Sequence, residues 1–308
     1  MSNPGSPSVP TVQCSCPVSQ YIYNASAYGF AAELERPSRH TIPSQAASVL
    51  AADGGRGSNE VQNFKFDGFL TVADAHTEVG GSYDDCHNRF TTYAFSSLEG
   101  VNFAGMLTAD RIVSRLYIYS PADPADSSEA SFTITGSLFE NLRIAGYQVD
   151  VQLATSEFHT SHDTLTTAGK ADKWLLASQL EKSGKDLQGL EKEYHALKGI
   201  KALVDRWKNK GETTGSDKQG GEKHSHCRTY LFSPIKKLEL VGYTGTDIQI
   251  LGNIICIPKF GVIRLADLLV HGHCRNLTMF RVQMCSGTDG SGSGAGSAGG
   301  GGRPGGGG

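Results

Sequence analysis

Asn141–Leu153 reads NLRIAGYQVDVQL. Leu142 and Ile144 flank Arg143, Ala145-Gly146 follows, and Val149, Val151 and Leu153 then alternate with Gln148, Asp150 and Gln152. Apolar residues at every second position mark one buried face of an extended chain, and the small pair between the two runs marks a turn. The stretch therefore predicts an antiparallel hairpin with one face on a core. Ile248 to Ile257 repeats the signal: Ile248 and Ile250 precede Gly252-Asn253, and Ile255 and Ile257 follow. A Gly-Asn pair suits the positive φ angles of a tight hairpin turn.

The alternation extends outward from these hairpins. Tyr28, Phe30, Ala32 and Leu34 share one side of a ribbon that stops at Pro37. Phe64, Phe66 and Phe69 open a strand that Leu70 and Val72 continue, with Gly80-Gly81 as its expected end. Arg89 to Phe95, then Ile112, Leu116 and Ile118, then Ile263 and Leu265, and last Thr278, Phe280, Val282 and Met284 supply further strands. About ten short strands with no β-helix-β rhythm predict a mainly β protein, an antiparallel β-sandwich or barrel.

One segment has a different period. From 171 to 210 the apolar residues Leu187, Leu190, Tyr194, Leu197, Ile200, Val204 and Trp207 recur at helical spacing. The expected organisation is a disordered Pro/Ser arm over 1–18 and one β domain formed by 19–164 and 223–285. A helical insertion and linker over 165–222 interrupts that domain, and a disordered Gly-rich tail over 286–308 follows it. The helical stripe needs cover, which makes Leu187, Leu190, Tyr194, Leu197 and Trp207 a candidate interaction surface.

Charge narrows the functions. Against 28 Lys+Arg stand 31 Asp+Glu, a net charge of −3, so no long-range field steers the whole chain to nucleic acid or an anionic membrane. Gly294 to Gly299 spells G-x-G-x-x-G, but it lies in a tail where 13 of the 38 glycines fall within the last 23 positions. With no strand expected before it and no helix after, it is composition, not a phosphate loop. No run approaches the roughly 18 apolar residues of a membrane-spanning helix. MSNPGSPSVP lacks the basic start and apolar run of a secretory signal, so the expectation is a cytoplasmic protein. Seven scattered cysteines then read as reduced thiols.

The most unusual local pattern is H-x-H-C-R, present twice: His224, His226 and Cys227 before Arg228, and His271, His273 and Cys274 before Arg275. Two residues separated by one point the same way on an extended chain, so each pair can offer two imidazoles to one ion. If the two strands lie side by side, the four histidines and two cysteines form a candidate metal site, with zinc the natural occupant of a His/Cys donor set. Glu157, His159, His162 and Asp163 form a second polar cluster, expected as a loop. Cys86-His87 is adjacent in sequence, and adjacent residues of a strand point apart, so it is no self-contained nucleophile dyad.

Phe132 to Val151, FTITGSLFENLRIAGYQVDV, resembles a segment of a group of uncharacterised bacterial β-rich proteins. Ile257-Pro258-Lys259-Phe260-Gly261, Arg264 to Leu268 and Leu277 to Arg281 are similar to the closing part of the same group. The resemblance implies that the β body is one unit and carries over no chemistry. The resulting expectation is a non-catalytic β protein that binds a protein partner or assembles with itself. Alternatives are a metal-dependent enzyme or metal-binding protein using the H-x-H-C pairs, and a glycan-binding module.

Overall fold

A computed structural model describes residues 21–34, 40–122, 130–154, 229–271, 274–284 and 289–298, together with Leu176, Gln179, Leu180, Tyr194 and Leu197. The chain is mainly β. β1 (Ala25–Leu34), β2 (His40–Gln45) and β3 (Ser48–Val49) precede four long strands, β4 (Gly55–Phe66), β5 (Leu70–Asp84), β6 (Arg89–Phe103) and β7 (Leu107–Pro121). Shorter pieces follow: β8 (Ser131–Thr133), β9 (Leu138–Glu140), β10 (Arg143–Ile144) and β11 (Tyr147–Leu153). The last group is β12 (Thr229–Phe232), β13 (Ile235–Leu240), β14 (Gln249–Leu251), β15 (Ile254–Ile257), β16 (Gly261–His271), β17 (Cys274–Met284) and β18 (Asp289–Ala298).

These strands form two antiparallel sheets. The first runs β13-β11-β10-β7-β6-β5-β4, with β8 and β9 also paired to β7. The second runs β14-β15-β16-β17-β18-β1-β2, with β12 on β16 and β3 on β1. The hairpin over Asn141–Leu153 is present as β10–β11, and that over Ile248–Ile257 as β14–β15. Tight turns close the long hairpins. Asp67-Gly68 sits at φ 44° and 64°, and Ala104-Gly105 at 52° and 66°, the paired positive values that match the twist of adjoining strands. The Phe64-to-Val72 run is thus two strands joined at Asp67-Gly68, not one.

The inner faces meet in a single core. Leu98, Ile112, Leu116 and Ile118 of the first sheet are buried with Phe30, Leu277, Phe280 and Val282 of the second. Each such side chain contributes about 1.5–3 kcal/mol on leaving water. The sheets approach closely: β1 and β18 have Cα atoms within 8 Å of β6, whereas facing sheets ordinarily lie about 10 Å apart. Gly29 of β1 shows why. A Cβ there would stand 3.0 Å from the Cβ of Ala75 and 3.3 Å from Cδ2 of Leu98.

Both sheets also bend along one row. In the first sheet Asn63, Ala73, Gly100 and Asp110 are passed over while the pairing on either side keeps its register, as in Gln62↔Asp74 followed by Phe64↔Val72. Gly29, Ser293, Met279 and Ala266 are passed over in the same way in the second. Asn63, Gly100 and Ala266 take positive φ there. The residue out of step flips the inward parity, from Leu98 to Val101 on β6 and from Ile112 to Ala109 on β7.

Two expectations change here. Gly80-Gly81 does not end a strand, since β5 runs through it to Asp84. A Cβ on Gly80 would fall 2.2 Å from the Tyr93 ring, and one on Gly81 2.4 Å from the ring of Tyr23, so both glycines make room for aromatics. The tail expected as disordered from 286 instead supplies β18, which pairs with β17 on one side and β1 on the other. Backbone hydrogen bonding on both edges holds it, a source that composition does not reveal. The helical insertion over 165–222 lies almost wholly outside the described residues, and no helix is among the described elements.

Candidate interaction surfaces

The proposed metal ligands fall at one end of the second sheet. His271 is the last residue of β16 and pairs across the strands with Cys274, the first of β17. Thr229, which opens β12, pairs with His271 from the other side. The strand that follows the first H-x-H-C-R motif is therefore a direct neighbour of the second motif. His224, His226, Cys227 and His273 lie outside the described residues. Cys274 and Cys86 are exposed thiols, while Cys256 is buried. Among the described residues no three His, Cys, Asp or Glu side chains are grouped to hold a metal. Glu157, His159, His162 and Asp163 are also outside them.

Asp84 takes the place of any Cys86-His87 dyad. Its carboxylate lies 2.8 Å from Nδ1 of His87 and 3.3 Å from Nε of Arg89. Partial desolvation pushes its pKa up, but the hydrogen bonds and charge of His87, with the bond from Arg89, outweigh this and leave it low. Cys86 takes no part.

Tyr194 and Leu197 of the helical stripe are each 2% exposed and belong to the chain's own core, with Leu176 and Leu180. They are covered from within and offer no free surface. Gln179 Nε2 donates to the carbonyl of Ser233 at 3.3 Å, and Leu176 Cδ1 and Gln179 Oε1 approach Gly252, which places this stretch against the β14–β15 turn. Leu187, Leu190 and Trp207 lie outside the described residues.

The outward face of the first sheet is a half-buried lattice of charges and rings. Register sets Glu78, Phe95 and Arg115 in one row and Gly80, Tyr93 and Tyr117 in the next. The Arg115 guanidinium lies 5.1 Å from the Phe95 centroid and that of Arg89 4.2 Å from Tyr119, distances at which the ring quadrupole attracts a cation. Tyr93 donates its hydroxyl proton to Glu78, and its ring is 5.8 Å from that of Tyr117. Burial, and then the bond to Glu78, push the Tyr93 pKa up to about 12. Asp74 is raised as well, by desolvation first and the charge of Glu60 second. Guanidinium groups already occupy the faces of Phe95 and Tyr119, so these rings are not open platforms for a sugar.

The sheet ends differ sharply. β14 has three residues, β2 contains Pro43, and β13 carries Lys236 and Lys237, the latter bonded to Asp150 at 2.7 Å and Glu239 at 2.8 Å. Short length, proline and charge are the usual devices that stop a sheet edge from recruiting another strand. β4 has twelve residues and no proline, and nearly all its side chains are exposed or half-buried. Among the described residues no strand pairs with its outer side. The length and position of β4 come only from the sheet order. No helix among the described residues is long and apolar enough to cross a membrane.

A two-sheet antiparallel β protein with one long sheet edge unpaired among the described residues is the class these features define. The chain belongs to the family described as Domain of unknown function (DUF8256), whose model matches residues 21–271. No curated protein and no solved structure matches it.

Proposed function

We propose that this is a non-catalytic β-sandwich protein that binds protein by strand addition at β4, a second copy of itself included. The observation that carries the reading is the contrast between β4 and the three blunted sheet ends. Exposed strand edges bind extended chains through main-chain hydrogen bonds, with side chains setting specificity. Antiparallel pairing of two β4 strands about Ser58 would set Arg56 of each copy opposite Glu60 of the other, so opposite charges meet across the join. The reading keeps 165–222 as a helical insertion, with Tyr194 and Leu197 of its stripe in the chain's own core. Burial of Leu176, Leu180, Tyr194 and Leu197 supports that.

Light scattering on the full chain tests it. Self-association that Glu60→Arg weakens and Arg56→Glu with Glu60→Arg restores supports pairing at this edge. A strict monomer at high concentration, with no protein captured by strand addition, overturns it.

A metal-binding reading draws support from one observation, the adjacency of Thr229, His271 and Cys274 across β12, β16 and β17. His/Cys donors at that end would take zinc. The measurement is metal content of untagged protein purified without chelator. Less than about a tenth of an equivalent per chain rejects a structural site.

A further inference from the structure

β18 combines a central position with almost no side-chain anchorage. It lies between β17 and β1 and pairs along its length with both, yet it is the last of the described strands and falls beyond residue 271, where the family match ends. Its sequence is DGSGSGAGSA. The walls of its slot supply the bulk instead: Gly292 stands opposite Phe30 on one side and Phe280 on the other, and Gly290 opposite Ala32 and Val282. All four of those neighbours are buried.

The strand is also self-similar. Gly290, Gly292, Gly294 and Gly296 recur at every second position, so sliding it by two residues puts glycine opposite Phe30 and Phe280 again. Gly-rich strands specify register weakly and are prone to alternate pairing and swapping between chains. Only four residues, 285–288, separate β17 from β18, and short connections favour exchange between copies.

We propose that the slot between β1 and β17 is a strand-accepting groove that takes β18 of a second copy as well as the chain's own. The exchanged form makes the same backbone pairs as the closed one, so concentration and the hinge decide between them. Reciprocal exchange closes a dimer; non-reciprocal exchange leaves one groove and one strand free and extends a chain of copies. The proposal rests on the self-association reading above but uses a different surface from β4.

The test uses two full-length chains in a background with Cys256→Ala and the other native cysteines replaced by Ser. One carries Ala31→Cys and the other Ser291→Cys, directly opposite positions of β1 and β18. After mixing at high concentration and oxidation, strand exchange gives a disulfide between the two chains. Its yield should exceed by about tenfold that of Ala31→Cys mixed with Gly68→Cys, whose cysteine sits on an exposed turn. Both cysteines in one chain should close within that chain at low concentration, which reports that the variants fold. If they do not fold, Glu33→Cys with Asp289→Cys, the pair at the other end of the strand, replaces them. Association seen by light scattering with no linkage above the control overturns exchange and leaves association at β4 standing. A strict monomer with no linkage overturns both.

Discussion

β6 and β18 are both central strands, each flanked by two neighbours in its sheet, and they are held in opposite ways. β6 brings its own apolar side chains: Ala94, Leu98, Val101 and Phe103 are all buried. β18 brings glycine, serine and alanine, and Gly292 pairs with Phe30 on one side and Phe280 on the other, both buried. Such a strand relies on hydrogen bonds to both sides, and each glycine costs about 0.5–1 kcal/mol in lost conformational freedom relative to alanine. A central strand therefore need not carry a hydrophobic pattern if the strands beside it do.

Deleting residues 289–308 tests that dependence most severely. It leaves β1 and β17 as two unpaired edges through the middle of the second sheet. Calorimetry should show the cooperative transition lost or split, whereas a disordered tail would leave it unchanged. Leu98→Ala is the matching experiment on the first sheet. Removing a fully buried leucine side chain should cost about 2–5 kcal/mol, read as a lower urea midpoint at unchanged slope. Gly292→Val comes next, at about 1–3 kcal/mol, because a branched side chain enters the row between the buried residues Phe30 and Phe280. If β18 were held by its own side chains, that substitution would be neutral.

The difference between the strands is also the difference in what the sequence disclosed. The alternation of Leu142 to Leu153 and of Arg89 to Phe95 names strands because the apolar pattern is local. The tail from Asp289 carries no such pattern, since what fixes it belongs to β1 and β17, far away in the chain. Gly80-Gly81 misled for the same reason: the rings that cover the pair come from Tyr93 and Tyr23. The Asp67-Gly68 turn was visible in principle, as an Asp-Gly pair between phenylalanine runs, but the aromatic density on both sides masked it. Fewer strands were expected than exist because pieces such as β3, β8, β9 and β12 have only two to four residues, too few to show a period. Of the candidate site, the two H-x-H-C-R motifs were legible, but the pairing of His271 with Thr229 and with Cys274 depends on how β12, β16 and β17 come together. The open edge of β4 depends on the order of the whole sheet.

Tyr93 supplies the smallest test, and it bears on the same contrast, because Gly80 under its ring is the first sheet's counterpart of Gly292. The hydroxyl is held protonated by burial and by its bond to Glu78, with the pKa pushed up to about 12. In the unfolded chain the same group ionises near the ordinary value of about 10. Between those values the unfolded state releases a proton that the folded state keeps, so stability is complete below about pH 10 and falls as pH rises toward 12. Tyr93→Phe should keep the ring over Gly80 while removing this part of the decline, and one late-titrating phenolate should vanish from the absorbance titration. Tyr93→Ala should in addition lower stability at neutral pH, since the ring that fills the space above Gly80 is gone. Equal neutral-pH stability of the two variants would mean that the glycine on β5 is not there to seat the ring, and the parallel with β18 would fail.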